Sequence, residues 1–427
     1  MRILLINHYA GSPYHGMEFR PYYLGREWIR MGHPVTILAA SASHLRRKAP
    51  QVTGAITRES IEGIEYRWLQ TPAYGVNGIK RALNMAAFVG QLYRYGAKLT
   101  GAGSPDVVIA SSTYPLDILP ALQIARRFSA LLVFEVHDLW PLSPMQLGGM
   151  PWWHPFILVM QAAENLAYRK ADVVVSLLPE AERHMRRHGL AHGKFHFIPN
   201  GVDIAAWGSD TAELPREHQA ALDFASRNGF FKIAYTGAHG IANALHTLLD
   251  AAALMREKPV AFFSIGDGPE KKKLEALSKS KKLAKVFFLP AVPKGCMPTL
   301  LGRMDALYIG LQRQPLFQFG VSPNKLLEYM MAAKPIICAI AAGNDMVSEA
   351  RCGISVPPED PHGLAAAIDR LSSMPPRARK GMGGNGRAYV SCHHDYRVLA
   401  KKFMDLIVSN GARHRSGNRQ KTAEICN

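Results

Sequence analysis

Gly320-Val-Ser-Pro-Asn-Lys325-Leu-Leu-Glu328-Tyr-Met-Met-Ala-Ala-Lys334-Pro335-Ile-Ile joins a glycine turn to a helix and then to an apolar strand. Pro323 suits the first helical turn, where its missing N–H costs nothing, and Ser322 is placed to cap the amides that follow. Those amides and the positive end of the helix dipole favour an anion in front of them, with Lys325 beside it as a point charge. Glu328 lies three residues after Lys325 and projects from the same side of the first turn. A cation for a diphosphate and a carboxylate for a ribose diol is one reading; an ordinary i, i+3 ion pair on a helix is the other.

Outward from this stretch, strand-like apolar runs alternate with helical segments from the first residue, the pattern of an α/β protein with parallel strands. Arg2–Ile6, Pro34–Ala39, Asp106–Ala110, Leu131–Val136 and Asp172–Leu177 form one series. Lys232–Thr236, Val260–Ile265, Val286–Leu289, Ala306–Ile309, Ile336–Ala339 and Gly353–Val356 form a second. Pro199-Asn-Gly-Val-Asp203 separates them and reads as a linker. A chain of 427 residues also exceeds one typical core. We expect domains at 1–199 and 200–391, a terminal helix at 392–408 with apolar Val398, Leu399, Phe403, Leu406 and Ile407, and a disordered polar tail at 409–427.

In doubly wound sheets ligands gather at the carboxyl ends of strands, so the loops there deserve a reading each. The first strand runs into Asn7-His8-Tyr9-Ala-Gly-Ser-Pro-Tyr-His15-Gly16-Met-Glu18, a loop with Gly16 as a candidate for close ligand approach, followed by a helix over Glu18–Met31. The dinucleotide fingerprint G-x-G-x-x-G is absent from it, which argues against an oxidoreductase. His33, in the Gly-His pair that ends this helix, reads as a turn residue. Phe134-Glu-Val-His137-Asp138-Leu-Trp140-Pro puts a histidine and an aspartate just past a strand. We read His137 as functional and Trp140 as packing, with Asp138 as a turn cap the alternative. In Tyr235-Thr-Gly237-Ala-His239-Gly240 the glycines permit close backbone approach, so amides, His239 and Lys325 together could hold phosphate. Lys271–Lys273 reads as a solvated helix face.

The wording around residues 320–337 resembles the donor-site signature of retaining glycosyltransferases of family 4, in the branch that transfers N-acetylated amino sugars in O-antigen and capsule assembly. In that signature two glutamates stand eight apart; Glu328 matches the second and Gly320 occupies the first. Asp138-Leu-Trp-Pro and the Gly25-to-Gly32-His33 segment are similar to the same family. The resemblance implies the GT-B fold: two Rossmann-like domains facing a central cleft, with the C-terminal helix crossing back to the first domain. It implies a UDP-sugar donor on the second domain, held by Gly237, His239, Gly240, Gly320, Val321, Ser322, Asn324, Lys325 and Glu328, with Pro290 and Val292 reading the base by backbone. His137, Lys325 and Glu328 would carry catalysis. Members of the family carry an Arg and a Lys in the loop where this chain has Ala238, His239 and Asn243. The implied reaction needs no metal or other cofactor, and the implied acceptor is a polyprenyl-diphosphate-linked saccharide. A UDP-amino-sugar epimerase of the same fold and a non-catalytic nucleotide-sugar-binding protein are the alternatives.

The formal net charge is +18, divided +8 and +10 between residues 1–200 and 201–427, so neither half is a basic tail. No helix-turn-helix, zinc-finger or RNP motif accompanies it, which argues against nucleic acid as a partner. An anionic membrane surface fits better. Asn77–Thr100 interleaves Lys80, Arg81, Arg94 and Lys98 with Leu83, Met85, Phe88, Val89, Leu92 and Tyr93, and Trp152 and Trp153 follow. The run Pro155–Ala163 is too short to span a bilayer. Five cysteines with no C-x-x-C pair indicate neither a disulfide framework nor a zinc site. We therefore expect a peripheral protein on the cytoplasmic face of the membrane.

Overall fold

The computed structural model describes residues 1–16, 19–75, 78–100, 103–208 and 212–425. It contains two compact units, Met1–Asn200 with Tyr396–Asn427, and Gly201–Asp395. The expected helix and segment starts at Glu18 and Asn77 lie outside the described residues, as does Cys426.

The first unit is built on eight strands: β1 (Ile3–Ile6), β2 (Val35–Ala40), β3 (Ile56–Ile61), β4 (Ile64–Leu69), β5 (Val107–Ala110), β6 (Leu131–Val136), β7 (Val173–Ser176) and β8 (Phe195–Phe197). Their spatial order is β3-β4-β2-β1-β5-β6-β7-β8, with every neighbouring pair parallel except β3 and β4. That hairpin corrects the expectation of parallel strands alone. Glu62 and Gly63 both take positive φ, 48° and 82°, the geometry of a tight hairpin turn. The charged run Ile-Thr-Arg-Glu-Ser-Ile of β3 hides an edge strand from any search for apolar runs.

β1, β2, β5, β6 and β7 are buried on both faces, which is why they read as continuous aliphatic runs. One face is covered by the helices Arg20–Arg30 and Tyr396–Ile425. Trp28 Nε1 donates to Ala400 O at 3.1 Å, and its ring meets Phe403 edge-on at 5.3 Å. Tyr23 stacks on Tyr396 at 4.8 Å. Leu399, Ala400, Phe403, Met404 and Ile407 form the buried stripe of that last helix. It starts at Tyr396 and continues to Ile425, so the disordered tail expected from Ser409 is helical in the structure. No proline interrupts the tail, and its Arg, Lys, Gln, Ala and Glu residues are good helix formers.

The second unit carries β9 (Phe231–Thr236), β10 (Val260–Ile265), β11 (Val286–Leu289), β12 (Ala306–Gly310), β13 (Ile336–Ala339) and β14 (Gly353–Ser355). All six are parallel in the order β11-β10-β9-β12-β13-β14. The strand sequence runs outward from β9 to β11, then returns across β9 to β12, so the reversal lies between β9 and β12. Connections on opposite faces leave a crevice at the carboxyl ends of those two strands. Two layers of core, around Leu300, Met330 and Ile336 on one face and Leu248, Phe262 and Ile368 on the other, hold the sheet.

Truncating Phe403 to Ala removes a fully buried ring from the face that ties the last helix to the first unit. We expect a loss of about 3–5 kcal/mol in stability, read as a lower urea midpoint for the first unit.

Candidate active site

At the β9/β12 reversal the loop Gly237–Gly240 faces the helix Asn324–Met331. Gly237 sits at φ 132°, and a Cβ there would lie 2.8 Å from Lys325 Cε and 2.9 Å from its Nζ. Only glycine lets the lysine come this close. Gly266 and Gly268 perform the same service from β10: a Cβ on Gly266 would lie 1.9 Å from Gly237 O, and one on Gly268 2.6 Å from His239 O. The two loops then pair, with Gly237 N donating to Ile265 O at 2.9 Å and His239 N to Asp267 O at 2.8 Å. Tyr329 locks the helix to the end of β9, its Oη accepting from Thr236 N at 2.7 Å.

Lys325 Nζ lies 3.9 Å from the centroid of the Tyr235 ring. Burial pulls its ammonium down to about 7, against the opposing pull of Glu328. Burial also pushes the Glu328 carboxyl up, opposed by Lys294 and then Lys325. The two do not form an ion pair, and Glu328 accepts no hydrogen bond from a described residue. The ordinary i, i+3 pair is thus absent, and a half-buried carboxylate and amine are left directed at whatever enters the crevice. The amides of Asn324, Lys325, Ala238 and Gly240 are also without partners among the described residues.

Several expected contacts are corrected. The helix starts at Asn324 with Pro323 as its N-cap, so the N-cap position lies one residue later than Ser322. The amide of Gly320, at φ 98°, is taken by Phe317 O at 2.9 Å. Val321 N–H donates to Asn344 Oδ1 at 2.8 Å and its carbonyl accepts from Asn344 Nδ2 at 3.0 Å, so that backbone is committed to holding the turn. His239 is no phosphate cation: its imidazole is buried against Ser264 Oγ at 2.9 Å, and burial, then Lys271, pull it down to about 4. Pro290 O accepts from His218 Nε2 at 3.0 Å, whereas both backbone polar groups of Val292 are unpartnered among the described residues. Lys271 is structural as well, donating to Gly266 O at 2.9 Å.

In the first unit the strand order also reverses, between β1 and β5. Asn7 Nδ2 bridges them by donating to Ser111 O at 2.6 Å. Beyond β6, His137 Nε2 lies 3.0 Å from Ser111 Oγ and 3.2 Å from Glu135 Oε2. Glu135 is fully buried; burial opposes its charge, but Arg20 first, then His137 and Ser111, hold its carboxyl well below the usual range. Arg20 donates to Glu135 Oε1 at 2.9 Å and to Ile198 O at 3.0 Å. Asp138 caps its turn, accepting from Leu139 N at 2.9 Å and Ser143 Oγ at 2.6 Å, as the structural alternative had it. Trp140 packs on Phe156. Gly16, at φ 68°, donates to Ser12 O at 2.8 Å and closes a turn beside Arg47.

A family profile described as a glycosyl transferase 4-like domain matches residues 15–201, and one described as glycosyl transferases group 1 matches residues 231–374. The chain belongs to the GT-B glycosyltransferases. It is 24% identical over 319 residues to a probable glycosyltransferase, WbjE, of Pseudomonas aeruginosa, covering 73% of this chain and 77% of that one. It is 21% identical over 364 residues to the putative colanic acid biosynthesis glycosyl transferase WcaI of Escherichia coli, covering 82% and 87%. Its fold is shared with HepE of Anabaena, solved in complex with UDP and glucose, at a TM-score of 0.65 and 16% identity over 96% of this chain and 100% of that one.

The lysine and carboxylate at the β9/β12 reversal of this glycosyltransferase were legible in sequence. Tyr329, Tyr235, Asn344 and the Arg20–Glu135–Ser111 network were not, because their partners are remote. Arg20 and Glu135 stand 115 residues apart, and only the β1/β5/β6 adjacency joins them. We expect Lys325 to be half neutral near pH 7, whereas a surface lysine with a pKa of about 10.4 is almost wholly protonated there. Competitive acetylation followed by mass spectrometry should therefore give a reactivity midpoint near 7 for Lys325; a midpoint near 10 refutes it.

Proposed function

We propose that this enzyme transfers a sugar, with retention, from a UDP-sugar held by the second unit to a lipid-linked saccharide held by the first. The observation that carries the reading is Lys325 Nζ packed on Gly237 at the β9/β12 reversal, with the unpaired Glu328 carboxylate one turn further on. A diphosphate entering there meets the amine, which takes up a proton as the anion arrives, and the free amides of Asn324, Lys325, Ala238 and Gly240. Charge building on the leaving diphosphate in the transition state is stabilised by the same groups. Glu328 accepts from the ribose hydroxyls, Val292 reads the uracil by backbone, and no divalent metal is needed to neutralise the diphosphate. His137, held by Ser111 and Glu135, is the residue of the first unit that we assign to the transfer step. An N-acetylated amino sugar is the donor class we favour, on the wording around Lys325. Surface-polysaccharide assembly is the setting, in keeping with the colanic acid name carried by the relative WcaI.

Glu328→Gln keeps the side chain's shape and removes the charge, so UDP affinity by calorimetry should fall by about 1.5–3 kcal/mol for each charged hydrogen bond lost. His137→Ala should slow transfer while leaving UDP affinity near that of the parent. Unchanged affinity in a folded Glu328→Gln variant overturns the ribose role; an unchanged transfer rate in His137→Ala overturns the sugar role.

The acceptor is presented, in this proposal, at an anionic membrane surface. Among the described residues no helix is long and apolar enough to cross a membrane. The helix Ile79–Tyr95 turns Met85, Phe88 and Leu92 into the core and leaves Ile79, Lys80 and Leu83 exposed at its start, with Arg94 and Lys98 exposed at and just beyond its far end. Arg81 is corrected from the basic set: it donates to Tyr9 Oη at 3.1 Å and lies over Trp140. Trp140 in turn meets Phe156, which links this helix to the exposed Trp152 and Trp153, 65% and 63% accessible. Three cations at about 1 kcal/mol each, screened over roughly 8–10 Å, suffice for salt-sensitive binding. Co-sedimentation with phosphatidylserine vesicles should fall at high salt, and fall again when Lys80, Arg94 and Lys98 become Gln. Binding indifferent to both refutes this surface.

A further inference from the structure

Among the side chains of the first unit not assigned to sugar transfer, one cluster has the composition of a metal site. Glu164, on the helix Pro155–Lys170, is 1% exposed. His184 and His188 stand four residues apart, on and just after the helix Glu182–Arg187, so both imidazoles face it. One ligand atom from each of the three lies within 4.8 Å of the others. His184 Nε2 and Glu164 Oε1 are 3.3 Å apart. That is long for a charge-assisted N–H···O bond, about 2.7–2.9 Å. The same separation is also compatible with two donors on one zinc ion, which at about 2.0–2.1 Å from the metal stand about 3.3–3.4 Å from each other.

The surroundings are those of ligands already oriented. Tyr168 Oη donates to Glu164 Oε1 at 2.8 Å and Gln161 Nε2 to Oε2 at 2.7 Å, which fixes the plane of the carboxylate. His188 Nδ1 lies 3.0 Å from Asn165 Oδ1 and 3.0 Å from Gln161 Nε2. Partners of this kind hold metal ligands in place and raise their affinity. Both histidines are only partly buried, so an ion has a way in. Two imidazoles with one carboxylate suit a borderline dication and disfavour magnesium or calcium, which take oxygen ligands.

We propose that Glu164, His184 and His188 bind one zinc-type dication, with water in the fourth position. The ion clips the helix Glu182–Arg187 to the helix Pro155–Lys170. It is structural: none of the three ligands belongs to the donor crevice, and the inference stands apart from the donor reading.

Cobalt chloride is the probe, because four-coordinate cobalt has intense visible bands that six-coordinate cobalt lacks. The full chain, stripped with a chelator, should take up one equivalent of cobalt with those bands, and zinc chloride should displace it. His184→Ala and His188→Ala should each weaken binding at least tenfold, while His192→Ala, at an exposed site nearby in sequence, leaves it unchanged. Zinc should raise the melting temperature of the parent and not of His188→Ala. Chelation should leave the transfer rate intact well below melting. His188 is partly exposed at a helix end, so His188→Ala decides the matter even if His184→Ala unfolds. Absence of the bands in the parent, or bands of equal strength in His188→Ala, overturns the site and assigns any cobalt uptake to other histidines.

Discussion

The second unit depends on a near-contact that only missing side chains allow. Gly266 packs on the carbonyl of Gly237, Gly268 packs on the backbone of His239, and Gly237 in turn admits Lys325. The result is a lysine held in a wall of backbone and aromatic ring, where desolvation works against its charge by several kcal/mol in the way that any buried ammonium is disfavoured. A group in that state is poised: it gives up little hydration when an anion arrives, and it regains its proton as it binds. The Tyr329 hydroxyl fixes the distance, since it ties the helix that carries Lys325 to the final residue of β9.

The first unit reaches a comparable end by the opposite route. Glu135 stays ionised inside the sheet because Arg20 reaches it from the neighbouring helix and also ties down the Ile198 carbonyl. Removing one partner of such a pair leaves an uncompensated buried charge, a cost of about 3–5 kcal/mol, although the intact pair contributes little net stability. What the pair supplies is position. Glu135 and Ser111 between them hold His137 Nε2 at the carboxyl edge of the sheet, in a defined orientation.

Glycosyl transfer by a nucleoside diphosphate leaving group requires positive charge at the diphosphate and little else from the protein in the way of proton transfer. With no arginine or lysine in the loop after β9, the proposed reading places that demand on Lys325 and four backbone amides. Amide donors are fixed in place by the loop pairing between β9 and β10, so they do not reorganise as charge develops. A neutral His239 belongs to that arrangement as a packing element of the loop rather than as a charge.

The sequence by itself determined the order of elements, because a parallel sheet buried on both faces writes its strands as unbroken aliphatic runs and its helices with a buried stripe. It also determined that Lys325 and Glu328 share a helix face, since three residues is close to one turn. It did not reveal β3, whose charged residues suit an edge, nor the helix beyond Ser409, whose polar composition reads equally as coil. Tertiary structure alone decided that Lys325 and Glu328 fail to pair, that His239 turns into the fold, that Arg81 reaches Tyr9, and that Arg20 and Glu135 meet across 115 residues. Periodicity is a local property of the chain. Burial and charge compensation are set by whichever distant strand lies alongside, and they fix what each titratable group does.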